Sequence, residues 1–306
     1  MIGRQDYEGD LDNMNKDVTI AVCIPYYKKY QDYSAFEKSL LSNNIEKLCN
    51  YAIMFLTPYW LIYDAVKVVD MHKAGKVEID LNIIPVSDRR LRSVASYDRF
   101  MKSVEFYNLF NGYDYVCICQ LDAWVFNDQL AEFAANGYPI IGAPWISYQG
   151  DGEMIFLGVG NGGYSLRNRR IISMFLSRRF MHVDTEILRL WINHIVLPDI
   201  RNGVSNRVVK LFKIMVFGLV SKCRLLHYAI VAGILLQEDL YVSLLVYSSM
   251  HREKMPGLYE TTRFSVERYP KQLITELLKG IPSGCHAPLL YDKDYWGRFM
   301  PVNGDG

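Results

Sequence analysis

Between Val18 and Cys119, short apolar runs rich in β-branched residues alternate with segments whose apolar residues recur at helical spacing. Val18–Ile24 (VTIAVCI) reads as a buried strand, stopped by Pro25, which turns the chain into a loop. Phe36, Leu40, Leu41, Ile45 and Leu48 predict a helix, and Tyr51–Leu56 (YAIMFL) predicts a second strand closed by Thr57-Pro58. Val77–Ile84 predicts a third strand. Tyr97, Phe100, Met101, Val104 and Tyr107 mark a second amphipathic helix, and Tyr115–Cys119 (YVCIC) a fourth strand. Such alternation predicts an α/β fold with a Rossmann-like, mostly parallel sheet flanked by helices. In open sheets of this kind ligands lie beyond the carboxyl ends of the strands, so site residues should follow strands.

Beyond Pro139–Ala143 (PIIGA) the alternation loosens into a Gly-rich stretch from Gly150 to Gly163, a basic helical stretch from Ser165 to Phe180, and a long helical region from about Asp184 to Tyr247. No Pro/Ser-rich linker or internal repeat divides the chain. Residues 18–300 therefore read as one domain, with a helical, basic insertion at about 167–236, between a polar arm (1–17) and a short tail (301–306). At 306 residues the chain can bury a large core without metal or disulfide staples. Cys23, Cys49, Cys117, Cys119, Cys223 and Cys285 lack zinc spacing and read as reduced core residues. With 34 basic and 33 acidic side chains there is no general cationic field, and no nucleic-acid partner is expected.

The acidic first 17 residues lack the apolar region of a secretory signal, which predicts a cytoplasmic address. The longest apolar stretch, Val208 to Gln237, is interrupted by Lys210, Lys213, Lys222, Arg224 and His227, so no membrane-spanning helix is expected. On a helical wheel Arg207, Lys210, Lys213, Lys222 and Arg224 gather on one half, opposite Val208, Phe212, Met215, Val216, Leu219 and Val220. A basic amphipathic helix at 207–224 could lie on an anionic membrane surface, giving a peripheral location on the inner face of the cell membrane. It could equally pack its apolar side on the sheet.

The segment YVCICQLDAWVFND (Tyr115–Asp128) carries a hydrophobic strand directly into Gln120-Leu121-Asp122, placing one carboxylate where the fold class puts ligands. A capping role for Asp122 is less economical, because Asn127 and Asp128 lie nearer the next helix start. Gly158–Gly163 (GVGNGG), followed by Ser165 as a helix cap, suits close approach to an anion, although such loops are often plain turns. Glu238-Asp239 opens a helical stretch (LYVSLLVY) and reads either as an acidic helix start or as a pair with one acid facing a cleft.

IPYYK (Ile24–Lys28), the FY-x-x-F-x-x-Y-x-Y pattern from Phe106 to Tyr115, QLDAWVF (Gln120–Phe126), GAPW (Gly142–Trp145), GNGGYSLR (Gly160–Arg167), Glu238-Asp239 and GCHA (Gly284–Ala287) stand in the order found in bacterial proteins of the DUF5672 domain family. The chain resembles that family over roughly residues 18–297, and the family looks like glycosyltransferases of the nucleotide-sugar-binding A type (GT-A). The resemblance implies transfer of a sugar from a nucleoside diphosphate sugar to a saccharide or lipid-linked saccharide acceptor, with surface polysaccharide synthesis as the setting.

It also implies a division of labour among residues. Pro25, Tyr26, Tyr27, Lys28, Arg99, Gln120 and Asp122 would meet the donor and its diphosphate. Trp145, Asn161, Gly162, Gly163 and Arg167 would form a loop against acceptor or donor. Asp239, with Glu238 next, would be the base that an inverting reaction needs; a retaining one needs none. Members of the type usually hold Mn²⁺ or Mg²⁺ at a D-x-D motif, and here only Asp122 of that motif remains. Asp122 and His286 are the ligands the resemblance implies, with Gly284 letting the backbone approach a phosphate. Lys28, Arg89, Arg90, Arg92, Arg99 and Arg167 are cations available to the leaving diphosphate, or simply solvated surface charges. The rival readings are a nucleotidyltransferase, which would want more carboxylates, and a non-catalytic module binding a nucleotide sugar or carbohydrate.

Overall fold

The computed structural model describes residues 18–74, 79–148, 153–160, 162–178, 181–197 and 236–300. The polar arm, Asn161, the basic stretch 207–224 and the tail lie outside the described residues.

The expected strand-helix alternation builds a six-stranded sheet. Its members are β1 (Ile20–Pro25), β2 (Ala52–Pro58), β3 (Leu81–Val86), β4 (Tyr115–Cys119), β6 (Ile140–Gly142) and β9 (Tyr164–Asn168), in the order β3-β2-β1-β4-β9-β6. The first four are parallel, β9 runs antiparallel to β4, and β6 is antiparallel to β9. The fold class read from the sequence is thus observed: a mostly parallel sheet flanked by helices.

The period of two along each strand sorts side chains between two cores. Val22 and Ile24 of β1 and Cys117 and Cys119 of β4 join one core, under α1 (Ala35–Lys47) and α2 (Ile62–Lys73). Ala21, Cys23, Val116 and Ile118 join the other, under α4 (Val94–Met101), α5 (Val104–Asn108), α7 (Arg169–Ser177), α8 (Thr185–Trp191) and α9 (Glu238–Tyr247). Because both faces are covered, β1 and β4 are buried throughout, which is why they read as continuous apolar runs.

Four local expectations are revised. The helix expected across 97–107 is two helices, because the Ser103 side chain accepts a hydrogen bond from Phe106 N (3.2 Å) and starts a new N-terminus. Ser165 is no helix cap. It lies in β9, where Tyr164 and Leu166 point into one core and Ser165 and Arg167 to the opposite face, and the helix begins after Asn168, whose Oδ1 accepts from Ile171 N (3.1 Å). The Gly-rich stretch from 150 is largely an antiparallel hairpin of β7 (Pro144–Tyr148) and β8 (Met154–Val159). The third strand lies a little later than expected, at Leu81–Val86.

A second, three-stranded sheet sits past the end of β4. Its strands are β5 (Ala123–Val125), β10 (Ser265–Val266) and β11 (Gly284–His286), with β11 antiparallel to β5 and parallel to β10. It brings the C-terminal part of the chain to the carboxyl end of β4. Asn44 of α1 clamps it there: buried, it donates to Ala123 O (2.7 Å) and accepts from Val125 N (3.0 Å). No helix among the described residues is long and apolar enough to cross a membrane.

Removing the Asn44 amide strands a buried backbone donor and acceptor. Asn44→Ala is expected to lower stability by about 1–3 kcal/mol, measured as a fall in urea midpoint at unchanged m-value.

Candidate active site

Strand order reverses at β1, which has β2 and β3 on one side and β4 on the other, so the crevice expected of this sheet class falls beyond the carboxyl ends of β1 and β4. Pro25 ends β1 and is buried in pairing with Leu56. Tyr26 does not line this crevice: fully buried, it stacks on Phe55 and donates its hydroxyl hydrogen bond to Asp64. It is a core residue with no face free for a nucleotide base. Tyr27 is 48% exposed, and its phenol is pushed above the ordinary range by partial burial and then by the negative charges of Asp122 and Glu37. Lys28 is paired with Glu37 (2.6 Å) and lies over the Tyr33 ring, so its charge is already engaged. Arg99 is exposed on α4.

Gln120 follows β4. Its N–H donates to Gly163 O (2.8 Å) and its amide to the Tyr97 hydroxyl (3.4 Å), which sews the QLD segment to the Gly-rich turn. Asp122, with a side chain 58% exposed, stands next to His286: Nε2 lies 3.2 Å from Asp122 Oδ1, an ion-pair contact rather than a well-aligned hydrogen bond. On the other side of the ring, His286 Nδ1 lies 3.1 Å from Oε1 of the buried Glu267.

Burial alone would pull the His286 pKa down. The two carboxylates outweigh it and hold the imidazole up at about 10. Burial pushes the Asp122 carboxyl up, but His286 beside it wins and leaves it below the usual carboxylate range. The ring packs directly over Gly163, where any Cβ would overlap it, so that position takes only glycine while His286 stays in place. A Cβ at Gly162 would overlap Glu238 Oε1 in the same way.

Gly284 does not offer backbone to a phosphate. A Cβ there would meet the Tyr164 ring and Trp124 O, so its smallness serves packing between β11 and the main sheet. Trp145 is also a wall rather than a platform: it is buried, with its ring 5.2 Å from that of Trp191. Asn161 lies outside the described residues.

Behind the Gly-rich turn, Arg167 is 0% exposed and grips Glu238 with two bonds, Nη1 to Oε2 (2.8 Å) and Nη2 to Oε1 (3.2 Å). Arg167 Nε donates to Ser165 Oγ (3.0 Å) and Nη1 also to the Tyr107 hydroxyl (3.1 Å). This corrects two expectations. The guanidinium is spent inside the protein and does not face a diphosphate, and Glu238 is a buried counter-ion rather than a reserve base. Asp239, the next residue, is only partly covered. Burial first, and then the charge of Glu238, push its carboxyl up to about 7.

Asp98 holds the start of α9 from outside: its Oδ1 accepts from Glu238 N (2.7 Å) and its Oδ2 pairs with Lys102 (2.6 Å), which also donates to Leu236 O (2.9 Å). The structure therefore brings together Gln120, Asp122, Gly163 and His286 directly, and Gly162 with Glu238 and Arg167. Sequence reasoning missed Glu267, Asp98, Tyr97 and Tyr107. Glu267 carries the signal that singled out Asp122, a carboxylate directly after a buried strand, but β10 is two residues long and gives no periodicity to read. Asp98 and Tyr97 sit in a helix where acid and aromatic positions look ordinary.

Among the described residues no group of three or more His, Cys, Asp or Glu side chains could hold a metal. Two converging donors do fit a hard divalent ion that takes its remaining ligands from water and phosphates. Asp122 offers an exposed carboxylate, and His286 offers Nε2 while its far nitrogen is held by a carboxylate, the usual outer-shell arrangement of a metal-binding histidine.

Over residues 80–286 the chain matches the family described as "Protein of unknown function (DUF5672)". No curated protein matches it. Among solved structures, the apo form of mouse xyloside xylosyltransferase 1 is similar at 11% identity, over 88% of this chain and 97% of that one, with a TM-score of 0.45. Mannosyltransferase PcManGT from Pyrobaculum calidifontis, in complex with GDP-Man and Mn²⁺, is similar at 12% identity over 54% of this chain and 47% of that one, with a TM-score of 0.35. Both likenesses are too distant to assign a residue or a substrate.

The Arg167–Glu238 pair has a direct consequence for stability. Glu238→Ala leaves a guanidinium buried with its main counter-charge gone, and is expected to cost about 3–5 kcal/mol, whereas the double change Arg167→Met with Glu238→Leu should cost clearly less in the same urea titration.

Proposed function

The chain belongs to the DUF5672 family, and from that membership and the geometry of the crevice we propose that it is a GT-A glycosyltransferase, moving a sugar from a nucleoside diphosphate sugar to a hydroxyl of a saccharide or lipid-linked acceptor. The observation that carries this reading is the meeting of three segments far apart in the chain, QLD, the Gly-rich turn and GCHA, where strand order reverses. A fold gains nothing in packing from gathering ionised side chains at a crevice, whereas a charged substrate needs them there.

Asp122 by itself would repel a diphosphate, so positive charge has to stand between them. The His286 imidazolium, flanked by Asp122 and Glu267, supplies one such charge. Mn²⁺ or Mg²⁺ held by Asp122 and His286 would supply it more strongly, neutralising charge on the departing diphosphate. In the inverting reaction the acceptor oxygen bonds to the anomeric carbon, the bond from that carbon to the diphosphate oxygen breaks with its electron pair leaving on the diphosphate, and the acceptor's proton passes to Asp239. A carboxylate with its pKa near neutrality is suited to that task. Tyr27 and Gln120 border the donor. We assign the acceptor to surface polysaccharide synthesis at the inner face of the cell membrane, where the basic stretch 207–224 would meet anionic lipid.

The donor site is tested by a thermal-shift screen of nucleoside diphosphate sugars with and without Mn²⁺. At about 100 times Kd a bound donor stabilises by about 2.7 kcal/mol, a rise of several degrees. Asp122→Ala should abolish the rise. If every donor leaves the parent protein unmoved, the proposal fails, and binding without turnover on any acceptor would mark a binding module instead.

Asp239 gives a second test with opposite signs on two readouts. Asp239→Asn should lower transfer by about 10²–10⁴ and remove an acid limb near pH 7 from the rate profile. Its stability should move the other way. The unfolded side chain ionises near 3.8, so as pH rises towards 7 the folded state keeps a proton that the unfolded state loses, and the penalty is complete above that. The variant should therefore be more stable than the parent at pH 8, with the gain vanishing near pH 4. Full transfer by the variant would remove the base assignment.

A further inference from the structure

We infer that Glu267 is the positioning residue of this site: its buried carboxylate holds the Nδ1 edge of His286 so that Nε2 is presented to Asp122 and to a divalent cation bound between them. The inference rests on the reading of Asp122 and His286 as the site's ligand pair.

Three observations carry it. Strands β10 and β11 run parallel with Val266 opposite Cys285, so the next residue on each strand, Glu267 and His286, emerge side by side. Glu267 Oε1 then meets Nδ1 at 3.1 Å, with both side chains largely buried. Second, the backbone is bent sharply just past each partner: Ala287 (φ 48°) and Tyr269 (φ 56°) are left-handed non-glycine residues, a conformation that costs energy and persists only where surrounding contacts impose it. The Ala287 N–H is tied to Asp122 O (3.0 Å), so this bend fixes His286 relative to Asp122.

Third, the ring lies against Gly163 without room for a Cβ, while Nε2 has no hydrogen-bond partner of good geometry. Packing thus confines the plane of the ring, and Glu267 decides which nitrogen faces Asp122, where Nε2 lies buried with its hydrogen-bonding capacity unspent. A buried carboxylate is an expensive way to hold a ring whose only duty is packing, but it is the group that a ligating imidazole uses to fix its orientation and raise its basicity. Glu267 also brings to the site the second negative charge that the incomplete D-x-D motif lacks.

The test uses the full chain with Glu267→Gln, which keeps an acceptor and loses the charge, and Glu267→Leu, which loses both. Mn²⁺ binding is read by electron paramagnetic resonance in the presence of a nucleoside diphosphate, and the His286 Nδ1–H proton by NMR without metal. Expected are a hydrogen-bonded, exchange-protected Nδ1–H resonance in the parent, its loss in Glu267→Leu and its retention at higher field in Glu267→Gln. Mn²⁺ affinity should fall about 10–100-fold in Glu267→Leu and less in Glu267→Gln, at urea midpoints close to the parent's. Parent-like Mn²⁺ affinity in both variants overturns the inference, as does an unprotected Nδ1–H in the parent, which can be read even if Glu267→Leu fails to fold. A parent that binds no Mn²⁺ but shows the protected, Glu267-dependent proton overturns the cation-binding part of both readings and leaves Glu267 as the residue that positions His286.

Discussion

The buried pairing of Arg167 with Glu238 is the contact on which the site depends. A guanidinium fully removed from water is tolerable only if its charge and its donors are satisfied, and here Glu238, Tyr107 and Ser165 do so from three different elements. One side chain thereby locks β9, α5 and α9 into a single arrangement. An apolar trio of similar volume would pack at least as well, so the ion pair is better understood as fixing which residues meet than as a source of stability. What it fixes is the first turn of α9, which Asp98 and Lys102 hold from the other side.

That clamp sets the chemistry of the neighbouring residue. With Glu238 held in place by Arg167, Asp239 sits in a poorly solvated position beside that carboxylate, and its proton is retained into the neutral range. Adjacent acids thus acquire opposite roles from their surroundings: one is neutralised by a cation and closed to solvent, the other is left destabilised and partly accessible. The second acidic grouping works in reverse. Asp122 and Glu267 share one imidazole, so burial, which would have discharged the ring, is outweighed by two carboxylates. The Gly-rich turn adjoins both groupings: its lack of side chains lets His286 pack on Gly163 and Glu238 on Gly162.

Much of the fold was legible because its signals are local. β1 and β4 are buried on both faces and so read as unbroken apolar runs, and Asp122 was found because a carboxylate directly after such a run has few structural duties. Legibility failed where a local pattern has two solutions. Ser165–Asn168 reads as the start of the following helix when Arg167 is taken for a solvated residue, yet with that arginine buried the segment is a strand. Tyr26 and Tyr27 are indistinguishable in sequence, and just past the end of β1 the chain buries the first in the core and leaves the second exposed near Asp122.

What the sequence determined by itself was therefore the order of strands and helices, the class of sheet they form, and the edge of that sheet where charged residues gather, since these follow from periodicity and from residues adjacent in the chain. Only the tertiary structure decided which charges pair with one another: Arg167 with Glu238, and His286 with both Asp122 and Glu267. Those partners lie 19, 71 and 164 residues apart, and their ionisation depends on desolvation and on charges brought near by folding, which no local pattern encodes.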